Sequence, residues 1–154
     1  MLDAKKFLNP ERVKSNLVLS SLYLSAYELL KSAIVGNIEN FFTFGFDADG
    51  KPIVDKQYDE EIRKVNRDSL RASCFWVEKN GAVSHDEVEQ IFQLRNHRNQ
   101  IAHELPRLLI DSELNLNVDY FVRVRRLLEK VEVWWILNFE MPVNSDFTDL
   151  CMIC

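Results

Sequence analysis

Ser84-His85-Asp86-Glu87-Val88-Glu89-Gln90-Ile91-Phe92-Gln93-Leu94 opens with a serine that is followed three residues later by a glutamate. Such a pair satisfies two orphan backbone donors reciprocally, so the segment reads as the start of a helix. Val88, Ile91, Leu94, Ile101 and Leu105 then recur at the spacing of one buried helix face. Pro106 disfavours helical geometry in the residue before it, which predicts that this helix ends near Leu105. One position breaks the stripe: Arg98 stands where the periodicity asks for an apolar side chain.

Outward from this helix the chain reads the same way. Upstream, Asn80-Gly81 supplies a left-handed stop to a helix over about 58–79, with Ile62, Val65, Ser69, Ala72 and Trp76 on one face. Further upstream, Asn9-Pro10-Glu11 has the marks of a helix start: an Asn cap, Pro in the first position and an acid in the first turn. That helix is predicted to run to about Phe42 with Val18, Leu22, Ser25, Leu29 and Ala33 buried. Its small residues Ser25, Ala33 and Gly36 leave room for a close neighbour. Gly45, Asp47, Asp49, Gly50 and Pro52 mark a surface loop or short hairpin between these two helices. The run Asp47-Ala48-Asp49-Gly50 has a faint likeness to a calcium loop but lacks the other spaced ligands and the closing Glu.

Downstream, residues 107–116 form a connection. A last helix then covers about Val118 to Phe139, with Phe121, Val124, Leu128, Val131 and Trp135 on one side and Pro142 beyond its end. The expectation is an all-α fold: a four-helix bundle forming a single domain over 1–140, followed by a C-terminal tail over 141–154. Only four Gly and four Pro occur in 154 residues, which favours long helices over a many-stranded sandwich or barrel.

Composition narrows the function classes. The net charge is −5 and the pI about 5.2, so the overall field repels phosphate and any nucleic-acid contact needs a local basic patch. Three cysteines, Cys74, Cys151 and Cys154, make no disulfide framework. The start Met-Leu-Asp-Ala-Lys-Lys lacks the apolar run of a signal peptide, and no stretch of 18 apolar residues occurs. A reducing cytoplasm is therefore the expected location, with no membrane contact.

The chemistry gathers around Arg98. A buried arginine is rarely unpaired, so it answers to an internal carboxylate such as Glu28 or Glu61, to a subunit interface, or to an anionic ligand. Asn99 and His103 lie four apart and share one helix face. Histidine titrates near neutral pH and can take or give a proton at a ribose 2′-hydroxyl or a leaving oxygen. Arginine presents a planar fork that matches phosphate. One such set holds one histidine, and a two-fold dimer brings together two, one as base and one as acid. The segment is also locally basic. Arg95, His97, Arg98, His103 and Arg107 lie in it, and Arg123, Arg125 and Arg126 form a second cluster on the last helix. If the two converge, they make a positive groove for a phosphate backbone.

Arg98-Asn99-Gln100-Ile101-Ala102-His103 resembles the Arg-x(4–6)-His motif of the HEPN superfamily (higher eukaryotes and prokaryotes nucleotide-binding domains), including the polar residue after the arginine. The flanking words from Leu94 to Leu105 look alike too. The resemblance implies a helical bundle and a metal-independent endoribonuclease active as a homodimer. Arg98 and His103 are then the motif pair and Asn99 the intervening polar residue. Many members are toxins or antiviral-defence effectors. Some are controlled by a nucleotidyltransferase antitoxin that modifies a tyrosine two residues after the histidine, where this chain has Leu105. Other members have lost catalysis and bind nucleotide, RNA or protein. No cofactor or metal is implied: no phosphate loop and no clustered carboxylates occur.

Plainer readings stand beside these. Arg98 is a structural arginine, or His103 caps the C-terminal end of its helix, where a cation is favoured. Glu28 and the arginines at 123–126 lie on solvated faces, and His85 faces solvent. His97 lies at the surface or in the groove. Trp134 and Trp135, adjacent on a helix, point about 100° apart and suit core packing or a dimer interface. Cys151-Met152-Ile153-Cys154 has the spacing of a redox pair and the shape of a prenylation box, with support for neither in its surroundings.

Overall fold

The computed structural model describes residues 9–108 and 117–141. The C-terminal tail and most of the connection before the last helix lie outside the described residues. Helix α1 spans Pro10–Phe42 and is interrupted by one π-helical turn at Ser32–Gly36. The Asn9 side chain caps it by accepting from the Arg12 amide. A two-stranded antiparallel hairpin follows, β1 Thr43–Phe46 and β2 Pro52–Val54. Helix α2 covers 56–63, α3 covers Ser69–Lys79 and α4 covers His85–Leu108. Helix α5 covers 118–140, α-helical over Val118–Trp135 and π-helical over Ile136–Glu140. The fold is all-α apart from the hairpin, which sits between the first two helices as the turn residues predict. Helix α1 packs against α4 and α5, and α4 packs against α3 and α5.

Several expectations are corrected. The buried face of α1 is Tyr23, Tyr27, Leu30, Ile34 and Ile38. Of the five predicted residues only Ala33 is buried, while Val18, Leu22 and Leu29 are about half exposed or more. This helix is apolar around most of its circumference, so a three-to-four spacing can be traced along more than one line. The two tyrosine rings bury more area than the rival leucines, and Tyr23 also donates its hydroxyl hydrogen to the Leu94 carbonyl at 2.9 Å. Ala33 does admit a close neighbour: Trp135 Nε1 donates to its carbonyl at 3.0 Å.

The predicted helix over 58–79 is two helices. Asn66 Oδ1 accepts from the Asp68 amide at 2.9 Å, and Asp68 in turn caps α3 by accepting from the amides of Leu70 and Arg71. Two side chains that offer the backbone local partners compete successfully with helix propagation. Ile62, Ala72 and Trp76 are buried as expected, whereas Val65 and Ser69 are exposed. Gly81 has the left-handed φ of +80° that the Asn80-Gly81 stop requires.

At the start of α4 the reciprocal cap is present: the Ser84 amide donates to Glu87 Oε2 at 2.8 Å and the Glu87 amide to Ser84 Oγ at 3.3 Å. Glu87 also pairs with Lys130 of α5. The helix does not stop at Leu105 but runs through Pro106 to Leu108. A proline so near the end costs one backbone bond, and Leu105 is still packed against the core. On α5, Val124, Leu127, Val131 and Trp135 are buried, with Phe121 and Leu128 at the edge.

At one end of the molecule Trp76 stacks on Trp135, ring centres 5.9 Å apart, and Phe41, Phe42, Trp134 and Phe139 surround the pair. Trp76 Nε1 donates to Glu61 at 2.7 Å, which occupies one of the two carboxylates considered for Arg98. Cys74 is buried, and burial pushes its thiol up to about 12. Helix α1 contains a window with mean hydropathy 1.2, long and apolar enough by length and composition to cross a membrane, of which 33% is buried within the fold.

Candidate functional site

The second half of α4 carries the motif. Arg98, Asn99, Ala102 and His103 line one open cavity of about 450 Å³. This follows from helical geometry: 98, 99, 102 and 103 fall on adjoining ridges one turn apart. Arg98 is half-exposed rather than buried, and it answers to Glu28 of α1. Its Nε and Nη2 donate to Glu28 Oε1 at 3.1 and 2.9 Å, and its Nη1 lies 3.4 Å from Asn99 Oδ1. The guanidinium is thus aimed from one side by a carboxylate and from the other by an amide.

His103 is exposed and sits five residues before Leu108, the last residue described in α4. That position is too far from the terminus for a capping role, because the field of the helix ends falls off within the last turn. Arg107 occupies the last turn instead. The capping reading of His103 therefore loses its geometric basis.

The other predicted contact residues are distributed differently. Arg95 is tied to Asp68, the cap of α3, and this hydrogen bond holds the Asp68 carboxyl below its usual range. Arg95 thus joins α4 to α3. His97 is an intercalated ring, half-buried: it stacks on Tyr120 of α5 at 4.1 Å and meets Tyr23 of α1 edge-on at 4.9 Å. Burial lowers its pKa, and a hydrogen bond with Gln100 opposes that shift. It is packed between helices rather than lying free in a groove. Arg123 pairs with Asp119 at 2.7 Å and lies over the Tyr120 ring. Arg107 and Arg126 are exposed, and neither they nor Arg123 lines the motif cavity. His85 faces solvent, paired with Glu78. The Asp47–Gly50 run is the hairpin turn: Asp47 Oδ1 accepts from the amides of Asp49 and Lys51, so backbone donors engage that oxygen.

A second cavity, of about 260 Å³, adjoins the first and shares Arg98 and Asn99 with it. Its other walls include Tyr27, Glu28 and Lys31 of α1, Asp68, and Arg95. Tyr27 and Lys31 escaped the sequence reading. The signal the sequence holds for them is their spacing of four, bracketing Glu28, on a helix that is apolar on more than one side.

No known family, curated protein or solved structure matches this chain.

Proposed function

We propose that this chain is a metal-independent endoribonuclease of HEPN type, acting on RNA as a homodimer in the cytoplasm, in toxin or antiviral-defence chemistry. The observation that carries the reading is the convergence of Arg98, Asn99 and His103 on one open cavity. His103 acts as general base: it takes the proton of the 2′-hydroxyl, whose oxygen attacks the adjacent phosphorus. The bond from phosphorus to the 5′-oxygen breaks, and the leaving oxygen takes a proton from the protonated His103 of the second subunit. The products are a 2′,3′-cyclic phosphate and a 5′-hydroxyl. Arg98 neutralises charge gathering on the phosphoryl oxygens. Asn99 orients Arg98, and Glu28 fixes the guanidinium in place. Arg95, His97, Arg107, Arg123 and Arg126 flank the RNA strand only in part, since Arg95 and His97 are already committed to α3 and α5. A nucleotidyltransferase antitoxin that modifies a tyrosine has no target at Leu105, so any protein regulator acts elsewhere on the chain.

The test is cleavage of a mixed RNA pool in excess EDTA, wild type against His103→Ala. Cleavage by wild type alone, leaving cyclic phosphate ends, is the expected result. A folded wild-type dimer that leaves the pool intact overturns the reading.

The Arg98–Glu28 pair favours a second reading, a non-catalytic module that binds nucleotide, RNA or protein. An arginine already neutralised by a carboxylate holds an anion less tightly. On that reading Glu28→Gln strengthens RNA binding and no variant cleaves.

A further inference from the structure

Tyr27 is 3% exposed, yet its hydroxyl has no hydrogen-bond partner among the described residues. It lines the second cavity together with Glu28, Arg95 and Arg98. The hydroxyl is not sealed in the core but opens onto the cavity, so a ligand there can accept its hydrogen.

The charges around this cavity do not balance. Arg98 is matched by Glu28 and Arg95 by Asp68. Lys31, on the same wall, has no carboxylate within ion-pair distance among the described residues. Three cations face two anions, leaving one positive charge. The free donors are the Tyr27 hydroxyl, the Lys31 ammonium, the Asn99 amide and the guanidinium edges not taken by carboxylates. A singly charged anion with several acceptor oxygens fits that set, and a phosphodiester is such a group.

The cavity also adjoins the motif. Arg98 and Asn99 line both spaces, so a strand whose scissile phosphate lies beside His103 has its neighbouring phosphate across the same guanidinium. We propose that Tyr27, Lys31, Arg95 and Asn99 form a phosphodiester subsite for the phosphate next to the one that is cleaved. The proposal rests on the RNA-cleavage reading above and deepens it: the substrate is an extended single strand rather than a free nucleotide.

The experiment is an equilibrium titration with two non-cleavable dinucleotides, each carrying a 2′-deoxy sugar at the reactive position. One has free ends and the other carries a methyl phosphodiester on both ends, so that each added group bears a single charge. Wild type is expected to bind the capped form about tenfold more tightly, the scale of one charge-assisted contact. Lys31→Ala, at an exposed position, and Tyr27→Phe, which keeps the ring, are each expected to lose most of that gain while still binding the free-ended form. A gain that persists in both variants, or no gain in a wild type that nonetheless cleaves RNA in EDTA, overturns the subsite and leaves the nuclease reading standing. A Lys31-dependent gain in a wild type that cleaves nothing overturns the nuclease reading and, with it, the assignment of this site to the phosphate beside a scissile one, leaving an anion site alone.

Discussion

Val88, Ile91 and Leu94 succeed one another along the first half of α4, each at most 1% exposed, behind a reciprocal cap whose glutamate is also held by Lys130. Along the second half only Ile101 is fully in the core. The other anchors there are polar or aromatic: Arg95 on Asp68, His97 between Tyr23 and Tyr120, Arg98 on Glu28. The same helix is thus fixed by apolar burial at one end and by charge and ring contacts at the other. Apolar burial gives stability without chemistry. Charge and ring contacts aim side chains into an open cavity at little gain in stability. A substitution in the first half should therefore cost folding, and one in the second half should cost function.

The sharpest separation is expected at His103. On the nuclease reading, His103→Ala lowers the cleavage rate roughly a hundred- to ten-thousand-fold, while urea unfolding shifts by no more than about 0.5 kcal/mol. A destabilisation of core size would place His103 with the first half and dissolve the contrast. Ile91→Ala is the converse, expected to cost about 2–5 kcal/mol by the same unfolding measurement. RNA affinity per folded molecule should stay unchanged. Ser84→Ala removes one half of the reciprocal cap and is expected to cost about 1 kcal/mol. A native-state hydrogen-exchange profile should show the loss concentrated in the first turn of α4.

The smallest effect concerns His97. Burial lowers its pKa, so acid protonates the unfolded chain before the folded one. The folded state therefore loses stability as the pH falls below the unfolded value of about 6.5. Comparing unfolding midpoints at pH 7.5 and pH 5.5 should show a drop in wild type that His97→Phe, which preserves the stack on Tyr120, largely removes. Equal drops in both proteins would mean that the ring is as easily charged folded as unfolded.

How much was legible in the sequence depended on whether the deciding interaction is local. The Ser84 cap, the Gly81 stop, the hairpin turn and the stripe of α4 are all written within a few residues, and each is found where it was read. The motif is equally local, since helical spacing alone brings Arg98, Asn99 and His103 onto one cavity. Faces and breaks were harder. Helix α1 is apolar on two sides, so only the packing of Tyr23 and Tyr27 against α4 chooses between them. The break before α3 depends on Asn66 and Asp68 outcompeting the helix. Arg95 reads in the sequence as an unpaired cation because its partner Asp68 lies 27 residues away. Glu28 and Glu61 are both carboxylates the sequence offers to Arg98, and nothing in one sequence prefers the first.

All three tryptophans of the chain, Trp76, Trp134 and Trp135, belong to one aromatic cluster, and none of them lines either cavity. Trp76 and Trp135 lie nearly parallel, at an interplanar angle of 11°. Two indoles so arranged couple their excited states, so this end of the molecule should carry a near-ultraviolet circular dichroism signal of its own. Intrinsic fluorescence then becomes a clean optical reporter of core packing. It should change when the fold opens and stay silent when an anion enters beside Tyr27 or Arg98, so folding and binding can be followed separately in the same cuvette.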